Sequence, residues 1–373
     1  MTNAQTRYIL MIPLVMLITA MTACGGVDRA DTAGTIGNKT MLVLVSNAQA
    51  AQAASAGIQA GRNTATFGVK LHNLATEAGP VVNAFPGIGS IPVTFDCGNR
   101  LPILFGRPST PDTTTIVKDR GTGVISADFN TCRIGATTVH GALTFSESAP
   151  GAQVFTLGSA AGPIMITEFA GPASQVETAV FTASATLTFT KGAAFDTLIV
   201  SGSIDTTDRV RGSRDRLDLD NVSLTVTKSV ELIGAEPYDA ATLLINGAVT
   251  RTSFASDIDP TVSHTESNTF SDFAVVFKTP AAGSTATAQF LGVSGQFSVA
   301  TTPPGRCIDG AFTVLTDVEV QIDKTTGITT AGRLTVNSTA VATLSADGGI
   351  TASVSGSVAA TFTRAEITTL CAL

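Results

Sequence analysis

The side chains that could carry chemistry in this sequence are few: three histidines, five cysteines and one dense run of acids and arginines. His72 stands in "KLHNL", His140 in "TVHGAL" and His264 in "VSHTES", each in a strand-like or loop context without a neighbouring cysteine or carboxylate cluster. A histidine works as a base or a metal ligand only with an orienting partner, so spacing alone reads these three as satisfied or exposed residues. The dense run is "DTTDRVRGSRDRLDLDN", 205–221. Asp215, Asp218 and Asp220 offer oxygens of the kind calcium gathers. Leu217 and Leu219, however, alternate with Asp218 and Asp220, and Arg209, Arg211, Arg214 and Arg216 neutralise the acids. The expectation is a strand with a charged outer face, which also guards a sheet edge, and no metal. The motifs G-x-S-x-G, G-x-x-x-x-G-K, H-E-x-x-H and a complete G-x-G-x-x-G are absent, so no catalytic residue and no cofactor is expected.

The cysteines divide into one and four. Cys97, Cys132, Cys307 and Cys371 show no C-x-x-C spacing, which argues against zinc. An even number of thiols outside the cytoplasm pairs by default. Three connectivities are open; Cys97 with Cys132 and Cys307 with Cys371 is preferred, because each pair brackets a β stretch. The chain-entropy model assigns about 4 kcal/mol to loops of this size. Cys24 differs in kind, because it closes the most apolar stretch of the chain and two glycines follow it.

That stretch reads as a processing segment. Residues 1–7 are short and polar with one positive charge, and residues 8–20 form an apolar core shorter than the ~20 residues that span a bilayer. The boundary Met21-Thr22-Ala23-Cys24 resembles the lipobox of bacterial lipoproteins, with Met21 where Leu is usual. The resemblance implies a diacylglycerol on the Cys24 sulfur, cleavage before Cys24 and an acylated new N-terminus. Several acyl chains, at ~0.8 kcal/mol per buried methylene, anchor firmly to a lipid bilayer. In such lipoproteins an Asp after the cysteine favours inner-membrane retention. Gly25 stands there instead, so the outer membrane is the expected address.

Composition agrees with an exported β protein. Charged residues make up 14% of the chain, against an ordinary ~25%; Thr, Ser, Ala and Gly fill the polar positions. The net charge is −7, and removing Arg7, the only charge in residues 1–23, makes it −8. Such a chain has no reason to bind nucleic acid. Residues 24–40 are small and polar and suit a flexible tether. Residues 41–61 hold the one helical segment, a short helix over 47–60 capped by Ser46 or Asn47 and ended by Gly61.

From Thr64 onward the hydrophobic period becomes two, as in "ATLTFT" (185–190), "VSLTVTKSVELI" (222–233), "TVLTDVEVQI" (313–322) and "GRLTVNSTAVATL" (332–344). One apolar and one Thr/Ser/Asn face is the mark of antiparallel sheet. Hairpin turns are expected at Lys324-Thr325-Thr326-Gly327, Asp347-Gly348-Gly349 and Lys191-Gly192. An apolar-x-Gly-x-apolar pattern recurs around Gly141, Gly202, Gly247, Gly295, Gly310 and Gly356, and glycine inside a strand marks a bulge or bend. The expected fold is all-β: a large antiparallel curved sheet, roll or sandwich built of hairpins, with one short N-terminal helix. The β region 62–373 is expected to hold two modules, about 62–190 and 191–373. A transmembrane barrel is not expected, because Trp is absent and Tyr238 is the only tyrosine after the leader.

"FDCGNRLPI" (95–103), "GVISADFNTCRIGATTVHGALTFS" (123–146) and "GRCIDGAFTV" (305–314) resemble segments of uncharacterised secreted or lipid-anchored cysteine-containing β proteins of Gram-negative bacteria. That resemblance supports disulfides and implies no activity. The function expected is a structural or interaction module of the cell envelope, meeting another envelope protein. The alternative is a carrier with a hydrophobic ligand on a concave β face, and a hydrolase assembled from distant acids and histidines comes last.

Overall fold

A computed structural model of the protein describes residues 41–83, 93–96, 113–119, 122–134, 137–149, 152–159, 161–170, 174–302 and 308–371. The seventeen strands found among these residues belong to one sheet, and every strand pair with a defined register is antiparallel. The all-β expectation therefore holds. No described helix is long and apolar enough to cross a membrane. The chain divides into two compact units, one holding Lys70–Asn221 and Thr252–Ser263, the other running to Val69 and resuming with Val222–Arg251 and His264–Leu373. A division near residue 190 is not seen. Two neighbouring strands pair over twelve positions across it, from Ala179↔Asp208 to Thr190↔Thr197.

The first unit contains β1 (Val93–Asp96), β2 (Thr113–Lys118), β3 (Ile125–Ile134), β4 (Thr137–Ala149), β5 (Ala152–Leu157), β6 (Ile164–Phe169), β7 (Glu177–Thr190), β8 (Asp196–Asp208) and the start of β9 (Ser213–Ile233). Strands β5 and β6 lie end to end between β4 and β7, since each of those two pairs with both. Alternate residues of β7, namely Phe181, Ala183, Ala185, Leu187 and Phe189, are buried. The period-two pattern in its sequence therefore marks the core face.

The second unit takes the rest of β9 and continues as a meander through β10 (Glu236–Phe254), β11 (Val262–Pro280), β12 (Ala288–Thr302), β13 (Gly310–Asp323), β14 (Thr329–Val336), β15 (Ala340–Leu344), β16 (Ile350–Val354) and β17 (Ala360–Phe362). All three expected hairpin turns are in place, at the β7–β8, β13–β14 and β15–β16 connections. "GRLTVNSTAVATL" is two strands, however. Asn337 and Ser338 take φ of 50° and 56° between β14 and β15, which turns the chain back on itself.

Helix α1 starts where expected but runs over Asn47–Asn83. Ser46 caps it: its Oγ accepts from Gln49 N–H at 3.2 Å and its C=O from Ala50 N–H at 3.1 Å, while Gln49 Oε1 accepts from Val45 N–H. Gly61 does not stop it. Gly57, Gly61 and Gly68 lie against the inner face of the sheet, where a Cβ on Gly61 would sit 2.3 Å from Val293 Cγ1 and one on Gly68 would sit 2.3 Å from Leu243 Cδ2. These glycines let helix and strands approach, and Ala50, Ala51, Ala53, Ala54 and Ala65 of the same helix are fully buried. A last helix, α2 (Arg364–Cys371), follows β17.

Four of the six patterned glycines, 141, 202, 247 and 295, lie inside strands; Gly310 opens β13, and Gly356 falls in the β16–β17 turn. At Gly202 and Gly295, φ is 128° and 118°, and a Cβ would meet Ser184 O at 2.3 Å and Asp272 O at 2.2 Å. The ladder slips at Asp272, which itself has φ of 47°. A bulge on one strand facing a glycine on the next is how a continuous sheet bends.

Candidate functional site

Cys24 lies outside the described residues, as do Cys97 and Cys307 and the side chains of Cys132 and Cys371. The acyl and disulfide expectations therefore remain expectations. The remaining candidates can be placed.

His72 sits on α1 rather than in a strand or loop, and it has an acid partner that spacing did not reveal. Its Nε2 is 2.7 Å from Asp196 Oδ2, and both side chains are largely buried. A carboxylate only accepts, so Nε2–H is the donor. Asp196 Oδ1 in turn accepts from Gly192 N–H at 3.1 Å, and the Phe189 ring stands edge-on to the imidazole with centroids 6.0 Å apart. In a catalytic dyad the second imidazole nitrogen must face a nucleophile or a substrate proton at about 2.6–3.2 Å. Here Nδ1 is buried with no hydrogen-bond partner. The pair is suited to clasping α1 to the β7–β8 hairpin within the first unit. No local signal could have found it, because 124 residues separate the partners.

His140 is exposed on β4, opposite Met165, and His264 is buried on β11. The structure does not bring the three histidines together. Glu168 is half-buried, and burial raises its carboxyl above the ordinary carboxylate range. Its register partners are Thr137 and Ala179, so no second acid stands opposite it to make an acid–base pair.

The charged run 205–221 forms the end of β8, a turn and the start of β9. Arg214 grips Asp205 with Nε at 2.9 Å and Nη2 at 2.6 Å, and its guanidinium lies 4.4 Å above the Phe254 ring. Arg209 reaches Asp257 at 3.1 Å, Arg216 bonds Asp218 at 2.8 Å, and Asp215 accepts from Ser253 Oγ at 2.6 Å. Asp205 and Asp218 are thus paired with arginines and Asp215 with a hydroxyl, while Asp220 is exposed on the same strand. Among the described residues no group of three or more His, Cys, Asp or Glu side chains could hold a metal ion.

On the second unit, Lys278 of β11 joins Glu231 of β9 at 3.1 Å and Glu319 of β13 at 2.8 Å. The Glu319 hydrogen bond is foremost in raising the Lys278 pKa. The same unit fastens several turns with exposed carboxylates. Asp323 accepts from the Thr326 and Thr325 N–H groups and the Thr326 hydroxyl, Asp347 from Ser345 Oγ and Gly349 N–H, and Glu236 from Ser284 and Thr285. These bonds hold all three carboxyls below their ordinary range. A lowered folded-state pKa means that the unfolded chain takes up protons first. The stabilisation is therefore present above the ordinary carboxylate range and disappears as the pH falls through and below it. The urea midpoint is expected to be level near neutrality and to decline in acid, and Asp323→Asn with Asp347→Asn should flatten that decline. An unchanged acid slope in the double variant would remove these turns from the explanation.

The apolar inner face of the second unit is occupied by its own chain. Gly57 lies against Phe297 and Val314, Gly61 against Val293 and Leu291, and Gly68 against Leu243 and Leu224. Beyond Val222, Leu224 and Val226 the same alternation along β9 continues to Val230 and Leu232, which are exposed. Comparison with family models, curated proteins and solved structures returns no match.

Proposed function

We propose that this protein is a lipoprotein of the cell envelope, acylated on Cys24, held at the outer membrane, and serving there as a rigid structural or interaction module. The observation that carries the non-enzymatic part is the filled inner face. Three glycines of α1 seat the helix so close to β9, β10, β12 and β13 that two of them leave no space for a methyl group. A carrier of the curved-sheet type keeps that face open for its ligand. The unpaired Nδ1 of His72 and the pairing of Asp205 and Asp218 with Arg214 and Arg216 further support a scaffold over a hydrolase.

The carrier reading retains one specific foothold, the exposed Val230 and Leu232 at the end of the inner row of β9. Mass spectrometry of protein extracted gently from its own membranes separates the readings. The denatured mass is expected to correspond to a chain beginning at Cys24, heavier by its acyl groups and lighter by two hydrogens for each disulfide. The native spectrum is expected to show the protein empty or with a protein partner. A small hydrophobic molecule that stays bound until denaturation would favour the carrier. Cys24→Ala should leave the membrane fraction or accumulate as precursor, and an acylated Cys24→Ala protein would overturn the anchor.

A further inference from the structure

The first described residues form an extended segment along the start of β13. Met41 bridges Ala311, Leu42 N–H donates to Ala311 O at 3.0 Å, and Asn337 Nδ2 donates to Leu42 O at 2.7 Å. Extended backbone sends alternate side chains to opposite sides. Leu44 is accordingly buried, whereas Val43 and Val45 are 75% and 76% exposed. Asn47, opening α1, then gathers the β16–β17 turn: its Nδ2 donates to Val358 O at 2.7 Å, and its Oδ1 accepts from Ser357 Oγ at 2.7 Å and Val354 N–H at 3.1 Å. Val358 is 90% exposed. Ser355 N–H donates to Thr339 O at 2.8 Å and so ties this turn to the β14–β15 turn.

Three exposed valines therefore share one end of the second unit with residues 41–46, 337–339 and 355–359, and none of those stretches contains a charged residue. Asp309, at the start of β13, is engaged by Thr301 Oγ1 at 2.9 Å. The opposite ends of these strands differ in kind. They carry Glu231, Glu236, Asp323, Lys324 and Asp347 in and beside their turns.

We propose that this valine-tipped end rests on the lipid bilayer that holds the acylated Cys24, with Val43, Val45 and Val358 at the level of the headgroups. The inference rests on the lipoprotein reading. Two features commit it to lipid. Only residues 25–40 separate Cys24 from Met41, so these valines belong to the first described surface after the anchor, within a contour length of roughly 60 Å. A tether of that length holds the end at high effective concentration over the bilayer. The absence of charged residues from 41–46, 337–339 and 355–359 lets the valines enter the interface without stripping water from an ion beside them.

The chain contains no tryptophan, so one introduced indole reports without background. Full-length acylated Val358→Trp and Val45→Trp proteins are incorporated into phosphatidylethanolamine–phosphatidylglycerol vesicles with and without lipids brominated on their acyl chains. Both indoles are expected to shift their emission to the blue and to be quenched by the brominated lipid. Leu232→Trp, beside the β9–β10 turn at the other end and 74% exposed, should keep the spectrum of an indole in water. Intact mass on the same samples separates two failures. If the protein is acylated but residues 358 and 45 are not quenched, the seating is overturned and the lipoprotein stands. Without the acyl group, both fall. Equal quenching at 232 and 358 overturns the proposed orientation, and a blue shift at 358 without bromine quenching overturns the lipid contact.

Discussion

Phe297→Ala should destabilise the second unit by about 3–5 kcal/mol. Phe297 is completely buried on β12, in register with Phe270 of β11 and Phe312 of β13. Its ring centroid lies 5.6 Å from those of Phe273 and Phe312. On the helix side, a Cβ on Gly57 would lie 3.6 Å from its Cε1. Truncation therefore opens a cavity whose walls are other rings and a helix backbone, neither of which collapses into it cheaply. With an m-value of about 3 kcal/mol/M, the urea midpoint falls by roughly 1–1.7 M. Val358→Ala, at an exposed site, should stay within about 0.5 kcal/mol. A loss at Phe297 no larger than that control would mean that α1 does not pack against β12 as described.

Asp196→Ala is expected to cost the first unit about 1–3 kcal/mol, because it leaves both imidazole nitrogens of His72 buried without a partner. The Gly192 N–H loses its acceptor as well, so hydrogen exchange should quicken across residues 190–196. Adding His72→Phe removes the stranded polar ring and should recover much of the loss, since replacing both partners of a buried pair by apolar groups is close to neutral. Recovery in the double variant identifies a clasp. No difference between Asp196→Ala and the parent chain would show that the 2.7 Å contact carries no net energy.

The features that were legible in the amino-acid order depend on neighbours a few residues apart. Ser46 and Gln49 announce the start of α1, because a helix end is satisfied by side chains three or four positions away. Lys324 to Gly327 and Asp347 to Gly349 announce hairpins, because Asp, Thr and Gly satisfy a turn from within it. The turn at Asn337 escaped notice for an equally local reason. Leu334, Val336, Ala340, Ala342 and Leu344 are all buried, so the even-numbered apolar row passes straight through the turn and reads as one strand. Gly61 misled in the other direction, because glycine after an alanine-rich stretch has the form of a helix stop.

By itself, the sequence determined the antiparallel class, the positions of three hairpin turns, the cap of the helix and the singular place of Cys24, all of which follow from composition, period and nearest neighbours. Only the tertiary structure decided that α1 continues past Gly61, that His72 meets Asp196, that Arg214 takes Asp205 while Asp215 takes Ser253, and that Val43, Val45 and Val358 are left uncovered. The reason is distance along the chain. Gly61 is required by Val293, His72 by Asp196, and Asn47 by Val358. Contacts between residues more than a hundred positions apart exist only once the sheet has folded against its helix.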